Sequence, residues 1–425
     1  MSPRPRAAVV VTGSELVRGE RTDRNGPFLA AEALRYGLEP ARITIVGDAP
    51  DELEAVLREA LEADACLISG GLGPTHDDRT VELLARATGL ELVVDEGLER
   101  EIESVSRMVA ERLRRPYADF APGVTKQATR PASAVSIGLA GTAPGLVLEA
   151  PTGCVVVILP GPPGELRRLW SNAVTSEPMR DLLVRTHPPG RRVLRLFGVS
   201  ESAVARAFEE SGGDGEGVEA TICARDFEIH VDLVVEPGSE ERADRLENGL
   251  VERLDRWLFA RDERRVEELV LSLAAAGGLR LATAESCTGG LVAVRLTSVP
   301  GSSASFVGSV VAYADDVKRS ELGVPRELLA EYGAVSAEVA AAMAKGACSR
   351  LGADLAVAVT GVAGPAGGTP EKPVGRVYFH AAGPDGSLGR MLDLPGEREQ
   401  VRARATVTSL HLLRALLTGT RDEAV

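Results

Sequence analysis

Short apolar runs that stop at polar, glycine-rich stretches constrain this fold more than any other feature of the sequence. Residues 7–12 form such a run and end in "TGSELVRG" (12–19), residues 65–69 end in "SGGLGPTHDD" (69–78), and "LATAESCTGG" (281–290) repeats the pattern. Between them, residues 25–36 and 51–62 space their apolar side chains as amphipathic helices, and residues 42–46 read as another strand. Strands alternating with helices build a parallel, doubly wound sheet. Ligands collect beyond the carboxyl ends of such strands, where these loops fall together with "LAGTAPG" (139–145) and "LPGPPGEL" (159–166).

A chain of 425 residues exceeds one core, and 44% hydrophobic with 26% charged residues is the composition of a soluble globular protein. The spacing predicts an α/β domain over 1–172, a small α+β module over 190–258 after the linker "THPPGRR" (186–192), and a second α/β domain over 264–420 behind "RDERR" (261–265). The module reads as strand 193–197, helix 201–209, strands 218–224 and 227–235, and helix 240–258. In the last domain, strands at 280–284, 306–313, 354–360 and 374–380 interleave with helices at 288–297, 336–350 and 398–417. With 62 acidic against 48 basic side chains the formal charge is −14, which argues against nucleic-acid binding, a role that needs a basic footprint. Five scattered cysteines without a C-x-x-C pair point to a reducing compartment. The apolar run 7–11 is too short for a signal-peptide core or a membrane span, so a soluble, cytoplasmic protein is expected.

The Ser286-Cys287-Thr288 turn admits two readings. Where a strand hands over to a helix the first amides lack backbone partners, so a Ser or Thr can simply cap them. Alternatively Ser286 is a nucleophile whose attacked carbonyl meets those amides and the positive helix end. A serine needs a base, and His380 and His411 sit in a strand and on an apolar helix face. "VVAYADDVKRSELGV" (310–324) instead places Tyr313 and Lys318 where a strand gives way to a helix. A desolvated lysine can act as base, with tyrosine assisting, although a surface lysine and a core ring would satisfy the same pattern. "AVAVTGVAGPAGGTPEKPVG" (356–375) adds a strand and a long Gly/Pro loop, including Thr360, Gly361 and Gly364, that brings backbone amides close to an anion or nucleotide.

In the first domain, Gly70, Gly71 and Gly73 free the backbone to wrap a phosphate, and Thr75 offers a hydroxyl. Asp77 and Asp78 can hold a divalent cation such as Mg²⁺, or one of them can cap the following helix. Glu15 and Asp48 belong to other loops at the same edge, and a carboxylate cluster with metal could activate water on a pyrophosphate. His76 reads as an exposed loop residue.

Many of these stretches recur in order in one family. "AESCTGG", "Y-x-x-x-x-K…LGV", "GAVS" (333–336), "TGVAGP…GG…KPVG", "GxE-L-x-x-G", "GGLGPTxDDxT", "KQA" (126–128), "GTAPG" and "LPGPPxEL" together resemble the CinA (competence/damage-inducible protein A) proteins over nearly the whole chain. The resemblance implies a C-terminal nicotinamide mononucleotide amidohydrolase, which converts that carboxamide to the carboxylate and releases ammonia without a cofactor. It implies Ser286 as nucleophile, Lys318 as base and Tyr313 assisting. Amides at Cys287, Thr288, Gly289 and Gly290 would hold the oxyanion, Thr360 would border the substrate, and Arg402 or Arg398 would reach its phosphate or carboxamide. Cys287 is the rival nucleophile, though adjacent side chains diverge at a turn and only one can face the substrate. Asp315 stands where the family commonly has Asn, near Lys318. The first domain looks like the MoaB/MogA fold, with divalent-metal hydrolysis of ADP-ribose implied, while Ser14 and Arg24 depart from the family pattern at its polar edge. The middle module resembles a KH fold, yet its candidate loop "SGGDGEG" (211–217) bears two acids and no base, so it reads as a spacer or dimerisation element. A homodimer follows from the resemblance. A non-catalytic pterin- or nucleotide-binding protein and a competence-associated factor are the competing classes.

Overall fold

The computed structural model describes residues 4–420, so the first three residues of the expected 1–172 domain lie outside it. The chain divides into two compact units, Met1–Pro189 and Gly190–Val425. In the first, six strands run in the order Glu39–Val46, Arg6–Thr12, Ala65–Ser69, Val155–Leu159, Pro144–Glu149 and Val135–Leu139. The first four are parallel, as the alternating pattern predicts. The last two are antiparallel. Only residues 150–154 join Pro144–Glu149 to Val155–Leu159, too few for the crossover that parallel pairing needs. Ala65–Ser69 and Val155–Leu159 are buried along their whole length, because helices cover both faces of the sheet.

The expected boundary at 172 falls inside the helix Pro163–Thr175. A further helix, Glu177–Leu183, buries Met179 and Leu182, so the unit continues to Pro189.

In the second unit the expected β-α-β-β-α order appears as strand Gly190–Leu196, helix Glu201–Glu210, strands Val218–Arg225 and Glu228–Val235, and helix Glu240–Leu254. That helix stops before 258 because Leu258–Ala260 becomes a fourth strand beside Gly190–Leu196. The second sheet is ordered Phe306–Val311, Leu281–Glu285, Leu355–Gly361, Arg376–Gly383, Gly386–Asp393. Its first three strands are parallel and its last two antiparallel. Among the elements without a counterpart in the sequence reading, two stand out. Gly386–Asp393 is a half-exposed edge strand with two glycines, and Val266–Ala276 is an apolar helix buried on most sides. Neither gives a clean period. Among the described residues no helix is long and apolar enough to cross a membrane.

Module and sheet meet in a buried polar contact. His411, on the last helix Arg398–Thr418, lies 2.7 Å from Glu228 of the module and stacks on Phe197 at 3.8 Å. Burial alone would raise the Glu228 carboxyl, but the hydrogen bond from His411 and the charge of His411 and of His230, 3.6 Å away, hold it down at about 2. A carboxyl depressed in the folded state stabilises above its unfolded value and loses that contribution as pH falls toward the folded value. We expect Glu228→Gln to lower denaturant stability by about 1–3 kcal/mol near pH 6. The gap from the native protein should close as pH drops from about 4.5 toward about 2. A gap that persists to the lowest pH would contradict this.

Candidate functional site

The three parallel strands of the second sheet deliver the expected residues to one edge. Glu285 lies level with Val311 and Val359, so Ser286, Ala312 and Thr360 follow at the same height. The Ser286 amide donates to Val359 O at 2.9 Å, and the Ala312 amide to Glu285 O at 2.8 Å. Ser286 is 8% exposed, and its hydroxyl has no hydrogen-bond partner among the described residues.

Glu285, which the sequence reading passed over, organises the turn. Its side chain is fully buried and accepts hydrogen bonds from the Thr288 hydroxyl (2.7 Å) and the amides of Gly290 (2.9 Å), Val292 (3.1 Å) and Ala293 (2.9 Å). These are the otherwise orphaned donors at the start of the helix Leu291–Thr297, whose dipole favours an anion there. The carboxylate therefore narrows the expected oxyanion site. The Gly290 amide is taken by Glu285 and the Gly289 amide by Ser286 O at 3.1 Å. The amides of Cys287 and Thr288 have no oxygen acceptor among the described residues. The Thr288 hydroxyl is tied to Glu285, and the Cys287 side chain packs in the hydrophobic core, so neither reaches a substrate. Burial pushes the Cys287 thiol up to about 12, against the help of its own amide and that of Thr288, which disfavours it as a nucleophile.

Lys318, on the helix Asp315–Leu322, is 1% exposed. Its ammonium donates to Tyr313 O at 3.2 Å and meets Asp315 Oδ1 at 3.4 Å. The backbone carbonyl of Tyr313, not its phenol, touches the amine. That ring is 59% exposed and its hydroxyl accepts from Arg398 Nη2 at 2.8 Å. Arg398 also donates to Gly364 O at 2.8 Å, tying the long loop after Leu355–Gly361 to the end of Phe306–Val311. Ser286 and Lys318 share the edge but are not hydrogen-bonded to each other. Thr360 turns inward and donates to Ala334 O at 2.8 Å, so its side chain does not border the edge. Arg402 is engaged as well. Its Nε and Nη2 donate to Cys287 O (3.1 Å) and Thr288 O (2.9 Å), bracing the turn. Gly361 is crowded, since a Cβ there would lie 2.7 Å from Arg376 O.

The first unit gathers its residues at the equivalent edge. A cavity of about 340 Å³ is lined by Glu15, Asp48, Gly70, Gly71, Gly73, Asp77 and Asp78. Gly70 and Gly71 have φ of 104° and 68°, and a Cβ would fall 2.5 Å from Thr12 Oγ1 and 2.0 Å from Thr80 Oγ1. Their missing side chains thus answer the chain's own crowding before any ligand's. Asp48 accepts from the amide (3.0 Å) and hydroxyl (2.6 Å) of Ser14. Thr75 donates its hydroxyl to Asp77 and Asp78 and its amide to Asp78 at 3.0 Å, while Lys126 donates to Thr75 O. The Thr75 hydrogen bond holds the Asp77 carboxyl below its ordinary value. A hard cation needs several oxygens converging on one point. Among the described residues no three acidic, His or Cys side chains do so. The expected Glu15–Asp77–Asp78 set therefore does not converge as a group of three, while Asp77 and Asp78 both meet the Thr75 hydroxyl. Glu165, unnoticed within "LPGPPGEL", also lines the cavity, and burial pushes its carboxyl up.

Residues 263–417 match the model described as "CinA C-terminal domain", and residues 8–179 that described as "Probable molybdopterin binding domain". A CinA-like protein of Mycolicibacterium gilvum is 45% identical over 424 residues, covering 97% of this chain and 99% of that one. A CinA-like protein of Mycobacterium tuberculosis is 43% identical over 431 residues, covering 99% of each. The chain belongs to the CinA family. A solved competence/damage-inducible protein from Agrobacterium tumefaciens is 42% identical over 37% of this chain and 99% of its own, with a TM-score of 0.35.

In this CinA protein a charged residue at the end of a fully buried strand was the available signal for Glu285, because an isolated carboxylate is not buried without donors. Replacing it with Gln sets an NH₂ donor against amide donors. Glu285→Gln should lower the stability of the second unit by at least about 2 kcal/mol, read by denaturant unfolding, and disorder the Ser286 turn. An unchanged unfolding midpoint would mean the amides find other partners.

Proposed function

We propose that the second unit hydrolyses the exocyclic carboxamide of nicotinamide mononucleotide to the carboxylate, with release of ammonia. The observation that carries this reading is the unpartnered Ser286 hydroxyl beside two amides without oxygen acceptors, at the same edge as the buried Lys318. In its amine form Lys318 takes the proton as Ser286 Oγ bonds to the amide carbon. The Cys287 and Thr288 amides receive the developing oxyanion. The C–N bond then breaks, the proton passes to the departing nitrogen, and ammonia leaves. Water attacks the resulting ester, releases the acid and restores the serine hydroxyl. Asp315 and the Tyr313 carbonyl orient the amine, and Arg398 and Arg402 fix the loops around it.

Ser286→Ala and Lys318→Met should each lower ammonia release from nicotinamide mononucleotide by at least about 10³-fold with the fold intact, as loss of a nucleophile or its base does. Cys287→Ala should retain most of the activity. A near-normal Ser286→Ala enzyme beside a dead Cys287→Ala one would transfer the nucleophile to sulfur.

For the first unit we propose nucleotide binding in the glycine-rich cavity. Cleavage of ADP-ribose is the activity that family resemblance suggests, and Thr75 holds Asp77 and Asp78 at this cavity. ADP-ribose should therefore bind the full chain with an affinity unchanged, within about twofold, by chelation of divalent cations, as titration calorimetry can show. A large loss on chelation would restore the carboxylates as ligands.

A further inference from the structure

The hairpin of the middle module ends in a turn that its residues adopt with difficulty. Arg225 pairs with Glu228 in the antiparallel ladder, so Asp226 and Phe227 alone make the turn, with φ of 52° and 67°. Two-residue hairpins favour positive φ at both positions, and Asn-Gly is the pair that takes it readily. A bulky aromatic residue there is an outlier, and such backbone persists only where its surroundings hold it. Glycine at 227 would remove the crowding, so what the phenylalanine contributes is its ring.

That ring is half-buried, and the Arg404 guanidinium of the last helix lies over it, 4.4 Å from its centroid. It borders a cavity of about 160 Å³ with Leu291 and Val294 of the helix Leu291–Thr297 and with Ala403, Thr406 and Val407 of the last helix. Both helices lead to the Ser286 turn in one further step. The Leu291 amide donates to Thr288 O at 3.4 Å. The Thr406 hydroxyl donates to Arg402 O at 2.9 Å, and the Arg402 guanidinium braces Cys287 O and Thr288 O. Next to Phe227 in the chain, Glu228 is fastened to His411 of the same helix at 2.7 Å. We infer that Phe227 is a positioning residue, through which the module's hairpin holds the two helices that keep the Ser286 turn in register. The kinetic consequence rests on the role proposed for Ser286 above, whereas the order of the turn can be read without any activity.

The full-length chain tests this with F227G, which eases the backbone and removes the ring, and with F227Y, which keeps the ring. Glu285 holds the amides of Gly290, Val292 and Ala293, and their hydrogen exchange, followed by mass spectrometry, reports the order of the turn. In F227G that exchange should quicken by at least about tenfold with the thermal unfolding midpoint unchanged. Ammonia release from nicotinamide mononucleotide should lose at least about tenfold in kcat, with KM within about twofold, because misalignment acts on the chemical step. F227Y should restore both, since the adjoining cavity leaves room for its hydroxyl. If F227G unfolds early, R404M, which alters the same contact from a regular helix, carries the comparison. Native exchange at these amides, faster exchange with native kcat, or a loss that F227Y does not restore would overturn the inference. A native chain that releases no ammonia would count against the proposed reaction instead, and the exchange arm alone would then decide whether the hairpin holds the turn.

Discussion

The second unit depends on one buried carboxylate. An ion removed from water without partners is among the most expensive things a fold can contain, and Glu285 is tolerable because three amides and a hydroxyl surround it. The dependence runs both ways. The helix Leu291–Thr297 has 7 residues, too few to hold itself together in water, and its first amides would otherwise go unpaired. The carboxylate thus joins the end of a central strand to the start of a short helix and fixes the path of the intervening turn. The neighbours of Ser286 on both sides are committed, Glu285 to the helix amides and Cys287 to the core, while its own hydroxyl has no hydrogen-bond partner among the described residues.

Around that turn, most polar side chains satisfy the protein. Thr288, Thr360 and Arg402 all bond inside it, and Arg398 bridges two loops. What remains is small: a hydroxyl without a partner, two amides without an oxygen acceptor, and a lysine amine held by a carbonyl and an aspartate. Hydrolysis of an amide requires a positioned nucleophile, a base and a place for negative charge, and a rigid surround keeps them in register. The structural bonds around the turn therefore keep these groups geometrically dependable.

The sequence reveals the elements well wherever burial leaves a period. The strand Ala65–Ser69 appears with the expected bounds, and the module's β-α-β-β-α order holds. Elements without contrast escape, such as the glycine-bearing edge strand Gly386–Asp393 and the helix Val266–Ala276. Placement of the site is also legible, because loops after parallel strands must meet at one edge. Side-chain direction is not. Nothing in "YADDVK" says that Lys318 will find the carbonyl of Tyr313 while the phenol swings to Arg398, 85 residues away. Nor does "THDD" announce that Thr75 will draw both aspartates to itself. Such choices are made by long-range partners, and spacing along the chain carries no information about them.

Comparing the two edges separates their chemistry. Both lie beyond the carboxyl ends of parallel strands, and both place crowded glycines beside polar side chains. In the second unit the uncommitted groups are a nucleophile and amides, with the charged side chains paired. In the first the carboxylates and hydroxyls pair with each other, and the uncommitted groups among the described residues include the Arg21 and Arg24 guanidiniums and the enclosed Asn25 Oδ1. The two edges of this architecture therefore differ in which side chains the fold leaves without partners.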